Sequence, residues 1–275
     1  MTRGRPSGGS RTTAVLGVLA GLALLLVVLV VLFPGWFTPY PPERTDLRNV
    51  LQAPSPAHLL GTDQLGRDVL SRLLDGTRLS VAIAVFATAV GVLGGALIGL
   101  LSAIAGSRAD SVLMRGVDVL LAFPELLLAL LVVAVIGGGV VNTAVAIGIA
   151  AIPNYARLVR GQALLVLRSE YVEAARMLGV HPARYLVRHV LPNVSGPVVV
   201  LASIGAGTAL ITASGLSLLG LGPRPPQADW GAMVADGKDF LQLAWWISAA
   251  PGAAIVLLVV VVTLVGRGLQ ARVLR

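Results

Sequence analysis

In a chain that is 56% hydrophobic and 12% charged, the side chains able to do chemistry gather between residues 170 and 193, EYVEAARMLGVHPARYLVRHVLPN. Their types are wrong for catalysis. No His pair, carboxylate pair or nucleophile-base set stands at active-site spacing anywhere in the sequence. With no cysteine, disulfides, thiolate metal sites and cysteine catalysis are excluded. A phosphate-binding loop needs Gly, four residues, Gly-Lys and then Ser or Thr, but the sole lysine is Lys238, followed by Asp239. The chain therefore cannot power itself with ATP. What residues 170–193 can do is dock. Tyr171, Ala174, Ala175 and Leu178 recur at i, i+3, i+4 and i+7, one apolar face kept low in its middle by two alanines. Ser169 is placed to cap this helix, with Glu170 and Glu173 at its positive end. Gly179 falls where a left-handed residue would end it, Pro182 opens a second short helix, and Pro192 is expected to stop that one. The plain alternative is a surface hairpin kept polar for solubility.

Apolar segments flank this stretch on both sides. At 275 residues and mean hydropathy +0.87, the chain has several runs long enough to cross a bilayer, which takes about 20 apolar residues. It reads as an all-α polytopic membrane protein of the cell membrane. Residues 1–13 form a Gly- and Ser-rich polar tail, expected to be disordered. Residues 14–33 are the first transmembrane helix; they exceed a signal peptide's apolar core, and Pro34, Gly35 and Trp36 offer no small-x-small cleavage site. Residues 34–78 are extracytoplasmic, with an amphipathic helix expected over 58–80, Leu65, Val69, Arg72 and Leu73 on one side and Asp63 or Asp68 as its cap. Residues 79–266 are a five-helix core with spans at 79–105, 117–136, 140–156, 196–222 and 243–265, a short turn at 106–115 and a cytoplasmic loop at 157–195. Residues 267–275 are a cytoplasmic C-terminus.

Within that core, Gly91, Gly94, Gly95 and Gly99 have the spacing that lets helices approach closely in lipid. Asp118 and Glu125 flank Phe123-Pro124, and an ionisable group at membrane depth invites a functional role. The plainer reading, adopted here, is that both lie near the inner boundary or face the interior beside an Arg. Asn142, Ser203, Thr208 and Thr212 are the candidate translocation path, although Ser and Thr also bond back to their own helix. Six spans with both termini cytoplasmic put 14 of the 21 basic residues inside, while the other seven share the longer outer loops with eight acids. That bias follows the positive-inside rule and removes the nucleic-acid partner that a net charge of +8 suggests.

Glu173-Ala174-Ala175, three residues, Gly179, then after eleven more Leu191-Pro192 resembles the EAA loop of ABC-type importer permeases, the segment that docks in a cleft of the ATPase subunit. His189 stands where the general pattern prefers Ile, and the Arg-His-Val-Leu-Pro-Asn around it is similar to the version in peptide and nickel permeases. Gly61-Thr62-Asp63, Gly66-Arg67-Asp68, Ser71-Arg72 and Gly76 resemble the C-type subunit of dipeptide, oligopeptide and nickel systems. So do residues 216–222, Pro225-Pro226 and Trp230-Gly231. Members often carry Glu where this chain has Ala213. The resemblance covers residues 58–267. It implies six transmembrane helices in the type I ABC importer permease architecture, a homologous permease subunit as partner, two cytoplasmic ATPase subunits and an extracytoplasmic solute-binding protein. It also implies that Glu173 pairs with a basic or hydrogen-bonding group of the ATPase cleft, while Ala174 and Ala175 set the docking depth. The expected function is the permease of an ATP-driven, binding-protein-dependent importer of peptides, with no cofactor in this chain. A nickel-chelate or other small-solute importer is the alternative, then a secondary transporter, for which Glu125 alone is a candidate coupling acid.

Overall fold

The computed structural model describes residues 9–223 and 226–273, and those residues are helical apart from residues 38–68 and short connections; the end that carries residues 38–68 is called outer and the end that carries residues 170–193 inner, after the orientation expected from the sequence. Most of the tail expected to be disordered, together with Pro225 and Arg275, lies outside them. The first helix, α1 (Gly9–Leu32), takes in the last residues assigned to that tail, and α2 (Pro34–Phe37) is a single turn after it.

The amphipathic helix expected over 58–80 exists only in its second half. Residues 58–68 fold instead into a turn with a Thr62–Asp68 bridge, and α3 (Val69–Ile104) begins with Asp68 accepting from Ser71 N. Competition decided this: the Asp63 carboxylate takes the backbone N–H groups of Leu65 and Arg67, which holds the chain in a turn where a helix would have needed them. From Val69 the helix runs 36 residues without interruption, joining the outer segment to the second span.

The expected turn at 106–115 is also displaced. It occupies only Ala105-Gly106, and α4 (Ser107–Leu121) follows. What reads as one third span is then two helices, because α5 (Glu125–Ile136) leaves α4 at a bend of 97°. Pro124 supplies the break, since it lacks an N–H and biases Phe123 away from helical geometry. The fourth span, α6 (Val140–Leu167), extends well past the expected end at 156. Beyond it come α7 (Glu170–Met177), α8 (Pro182–Tyr185), a five-residue π turn (Leu186–Val190) and α9 (Leu191–Leu218). Pro192 does not stop a helix. The π turn directly ahead of it shifts the hydrogen-bond register, Leu191 N donating to Leu186 O, so residues Ala183–Leu218 form one rod of 36 residues. On the outer side α10 (Trp230–Gly237) and a 3-10 turn (Lys238–Phe240) lead into α11 (Trp246–Val273).

Among the described residues three helices are long and apolar enough to cross a membrane, or four if the bent α4–α5 pair counts as one. The centre is α3 against α6, and its closeness comes from glycine. A methyl group added to Gly95 would lie 2.3 Å from Tyr155 Cβ and 2.8 Å from Ala156 N. Gly99 and Gly148 are shut in likewise, so these glycines form a helix interface and no pore. The main buried cluster, with Ile83, Ala87, Ile147, Leu210 and Leu216, joins α3, α6 and α9, and it includes Ala213. A smaller cluster sits at the inner end and another at the outer end.

Candidate functional site

At the inner end the expected elbow is present, held in a way its sequence does not announce. Ser169 does not cap α7 with its side chain; its hydroxyl donates to Val166 O at 2.5 Å, and the backbone carbonyl of Ser169 receives Val172 N and Glu173 N. Val172 is completely buried, packed with Tyr185 and Val190 against Ala163 and Leu167 of α6. It lies off the apolar face counted in the sequence, so that face is left to the outside. Tyr171 and Ala174 are exposed, Leu178 is 83% exposed beside Met177 at 82%, and Ala175 is half-buried. The helix thus has one anchored side and one presented side.

Gly179 turns the chain at φ +71°, and Val180 N donates to Ala175 O at 3.0 Å, the wrap that closes a helix ending in a left-handed residue. Glu173 is exposed and lines a groove of about 520 Å³ with Leu167, Arg168 and Met177. His189 meets Tyr171 edge-on with ring centroids 5.4 Å apart, tying the π turn to α7. Glu173, Ala174, Ala175 and Gly179 therefore share the elbow's tip, whereas Leu191 and Pro192 lie exposed on the shaft of the rod beyond it. Above the elbow Asp110 of α4 is held in a fork by Arg160 at 2.5 and 2.6 Å and receives the Ser102 hydroxyl of α3. Asp118 pairs with Arg157. Asp118 thus has an Arg partner, but on an exposed surface and not in the interior, and Glu125 opens α5 half-buried, with no Arg partner, hydrogen bond or ion pair among the described residues.

The four candidate path residues are not gathered into one stripe. Asn142 donates to Ile136 O at 2.9 Å, across the bend that joins α5 to α6. Ser203 donates to Val199 O and faces Gly266 of α11; Thr208 donates to Gly205 O from an exposed face of α9. Thr212 is half-buried one turn further on. Two of the four hydroxyl or amide groups thus spend their hydrogen bonds on their own helix.

At the outer end the sequence motifs converge into two buried polar knots. In the first, Asp63 Oδ1 takes Leu65 N and Arg67 N while Oδ2 takes Arg67 Nε at 2.6 Å; Asp68 binds His58 Nδ1 and the Ser71 amide and hydroxyl. In the second, Asp229 caps α10 through Ala232 N and receives the hydroxyls of Ser80 on α3 at 2.7 Å and Ser217 on α9 at 3.0 Å. Trp230 Nε1 completes the tie to α3 by donating to Leu73 O. Ser80 and Asp229 were not singled out in the sequence; the available signal was an Asp directly before a Trp-Gly that opens a helix. Asp229→Ala leaves the hydroxyl protons of Ser80 and Ser217 and the Ala232 N–H without their acceptor, and is expected to cost roughly 2 to 4 kcal/mol. The thermal midpoint of the purified complex should fall, with Asn at 229 restoring part of it; an unchanged midpoint for Ala would refute the knot's importance.

Between the knots lies a cavity of about 580 Å³ lined by residues that include Gln64, Arg67, Arg72, Ser217, Asp236 and Lys238. The enclosing walls push the Asp236 carboxyl above its ordinary range, against the downward pull of Arg67 and Arg72.

The model of the family described as binding-protein-dependent transport system inner membrane component matches residues 95–275. The di/tripeptide transport system permease protein DppC of Pseudomonas aeruginosa is 40% identical over 261 residues, covering 92% of this chain and 86% of that protein. The glutathione transport system permease protein GsiD of Pectobacterium atrosepticum is 42% identical, covering 92% and 84%. The probable D,D-dipeptide transport system permease protein DdpC of Escherichia coli K12 is 39% identical, covering 93% and 86%. Among solved structures, an inward-facing form of the MetNI methionine ABC transporter superposes with TM-score 0.61 at 20% identity, over 74% of this chain and 97% of that one. An amino acid ABC transporter crystallised with histidines gives 0.57 at 16%, over 73% and 94%.

Proposed function

This chain belongs to the binding-protein-dependent transport system inner membrane component family, and from that premise we propose that it carries short peptides inward, driven by ATPase subunits that dock on residues 170–180. It is a multi-pass inner-membrane permease subunit of an ABC importer. In the proposed complex it pairs with a homologous permease chain above two cytoplasmic ATPases and receives solute from an extracytoplasmic binding protein. The names of its relatives, transporters of di- and tripeptides, glutathione and D,D-dipeptides, support peptide cargo.

One observation carries the coupling. The rod Ala183–Leu218 starts at the elbow and ends at the outer cavity, and 36 residues at 1.5 Å each span about 54 Å. Ser217 and Leu218 at its outer end line the cavity, while Val190 and Val194 at its inner end pack with the buried anchor Val172 of α7. Movement of the docked tip, with Glu173 as the polar contact and Ala174 and Ala175 as the seat, would be delivered to the outer face as a tilt of one helix. Ser203, Thr208 and Thr212 ride on that helix, and Asn142 stands where α5 meets α6.

The test is uptake by the reconstituted complex. Peptide import should require ATP, the ATPase subunits and the binding protein together, and the purified chain alone should hydrolyse no ATP. Uptake driven by a proton gradient without ATPase subunits would overturn this reading in favour of a secondary transporter, and import of a nickel chelate but no peptide would overturn the cargo.

Six spans with both termini cytoplasmic is the topology proposed for the complex, resting on the arginine bias. A cysteine replacing exposed Gln227 should react with an impermeant thiol reagent in intact cells, and one replacing exposed His181 only after permeabilisation. Reversed labelling would invert the orientation.

A further inference from the structure

Among the described residues, the buried side-chain polar atoms without a hydrogen-bond partner are Arg72 Nη1 and Gln64 Oε1, and both residues line the outer cavity. Arg72 sits in the first turn of α3 with its side chain 5% exposed. Its nearest carboxylate is already spent: Asp63 is filled by two backbone amides and by Arg67, and Arg72 Nε stands 3.7 Å from Asp63 Oδ2, beyond hydrogen-bond range. A guanidinium carries five donors; the ion pair with Asp63 offsets part of its charge but leaves Nη1 buried without an acceptor, which is unfavourable, so the position favours an anion able to reach it. Carboxylate geometry matches that fork. The same cavity, however, holds Asp236 and Asp239 on α10 and the turn after it, with Lys238 between them. A simple anion would be repelled by the two acids, and a simple cation by Arg67 and Arg72. A dipolar molecule satisfies both sets, and about 580 Å³ is within the size of small-molecule sites, roughly 300 to 1,000 Å³.

We propose that this cavity binds the zwitterion of a short peptide, its terminal carboxylate on Arg72 and its ammonium on Asp236, with Gln64 Oε1 accepting a peptide N–H. The proposal rests on the peptide reading above and adds a site at which the permease itself holds the cargo by both charged ends. Because Ser217 and Leu218 at the end of the rod form part of the same wall, the elbow's movement reaches the walls of this site.

The test measures direct binding of trialanine to the complete permease and ATPase complex in lipid nanodiscs, with no binding protein present. Trialanine should bind saturably, and its C-terminal amide and its N-acetyl form should each bind about ten-fold or more weakly, since each lacks one charge. Arg72→Lys should erase most of the difference between acid and amide, because a point charge does not reproduce the fork. Asp236→Asn, a change of nearly equal size at a side chain with no hydrogen bond among the described residues, should erase the penalty for acetylation and keep the penalty for the amide. Equal affinity of acid and amide, or no saturable binding, overturns the proposal. If Arg72→Lys fails to assemble, the wild-type ligand series and Asp236→Asn decide alone. If Arg72→Lys instead weakens capture of the binding protein equally whether empty or loaded, the carboxylate belongs to that protein's surface and the cargo site is overturned. ATP-driven uptake of trialanine by the wild-type system separates the two readings: uptake with equal binding of acid and amide removes this site and leaves peptide import standing, whereas no uptake of any peptide removes peptide import itself.

Discussion

Gly179→Val is expected to abolish transport while the subunit still inserts in the membrane and the binding protein still loads with solute. The reason is conformational. Gly179 has φ +71°, and nothing lies within 4 Å of the position a Cβ would take, so the space would accept a side chain and the backbone would not. A β-branched residue held there costs roughly 1 to 3 kcal/mol, and the chain would relieve it by opening the elbow. The Val180 N to Ala175 O bond then goes, and the tip no longer points where Val172 and Tyr185 have fixed it. Asn at 179 tolerates the left-handed region better and should keep most of the activity, which separates conformation from bulk. ATP hydrolysis by the assembled complex should continue but lose its stimulation by loaded binding protein. A large residue at half-buried Ala175 should act differently, by lifting the tip off its seat, so that the ATPase subunits fail to co-purify. If Gly179→Val and a bulky residue at Ala175 both transport at the wild-type rate, residues 170–180 are an ordinary surface hairpin.

The elbow shows what a sequence discloses and what it conceals. Gly179 and Pro182 were legible because each residue type has one dominant local use, and the structure puts a left-handed turn and a helix start there. Pro192 was misread for the same reason: as a local signal it says stop, but a π turn absorbs its missing donor and tertiary packing of Val190 and Val194 carries the helix through. Val172 was invisible, since one valine on the less apolar side of a short helix has no periodic signal; only the arrival of α6 makes it the anchor. At the outer end the Gly, Asp and Arg motifs were visible as a pattern. Their physical content, two carboxylates filled by local donors and a third, Asp229, reaching Ser80 of α3 across 149 residues of sequence and Ser217 of α9 across 12, required the fold. The candidate path residues were chosen by polarity along one helix, and polarity does not say which way a hydroxyl turns. Ser203 faces α11 and Thr208 the outside. The 97° break between α4 and α5 was hidden by continuous hydropathy through Pro124, a residue that membrane helices often accommodate.

Gly95→Leu should be the most damaging single change outside the elbow, leaving little assembled complex to purify. At Gly95 the neighbours are Tyr155 Cβ at 2.3 Å, Ala156 N at 2.8 Å and Ile152 O at 2.9 Å from the position a Cβ would occupy. Two of those three are backbone atoms, which cannot move out of the way by changing rotamer, so α3 and α6 must separate along their contact. Overpacking of a core ordinarily costs about 1 to 3 kcal/mol, and a clash with main chain belongs at or beyond the upper end. In lipid there is little hydrophobic penalty for parting two apolar helices, so lost van der Waals contact is not offset by any drive to reclose. The damage should also travel. The inner half of α6 carries Val159, Ala163 and Leu167, the surface on which Val172 and Tyr185 seat the elbow, so a displaced α6 misplaces the elbow's tip as well. Gly95→Ala should therefore give a graded result, a lower thermal midpoint and weakened stimulation of ATP hydrolysis with some complex still formed. Gly21→Leu on α1, where nothing lies within 4 Å, supplies the matched control and should assemble normally. Equal yields and midpoints for Gly95→Leu and Gly21→Leu would mean that α3 and α6 do not depend on backbone approach, and the glycines at 91, 94, 95 and 99 would need another explanation.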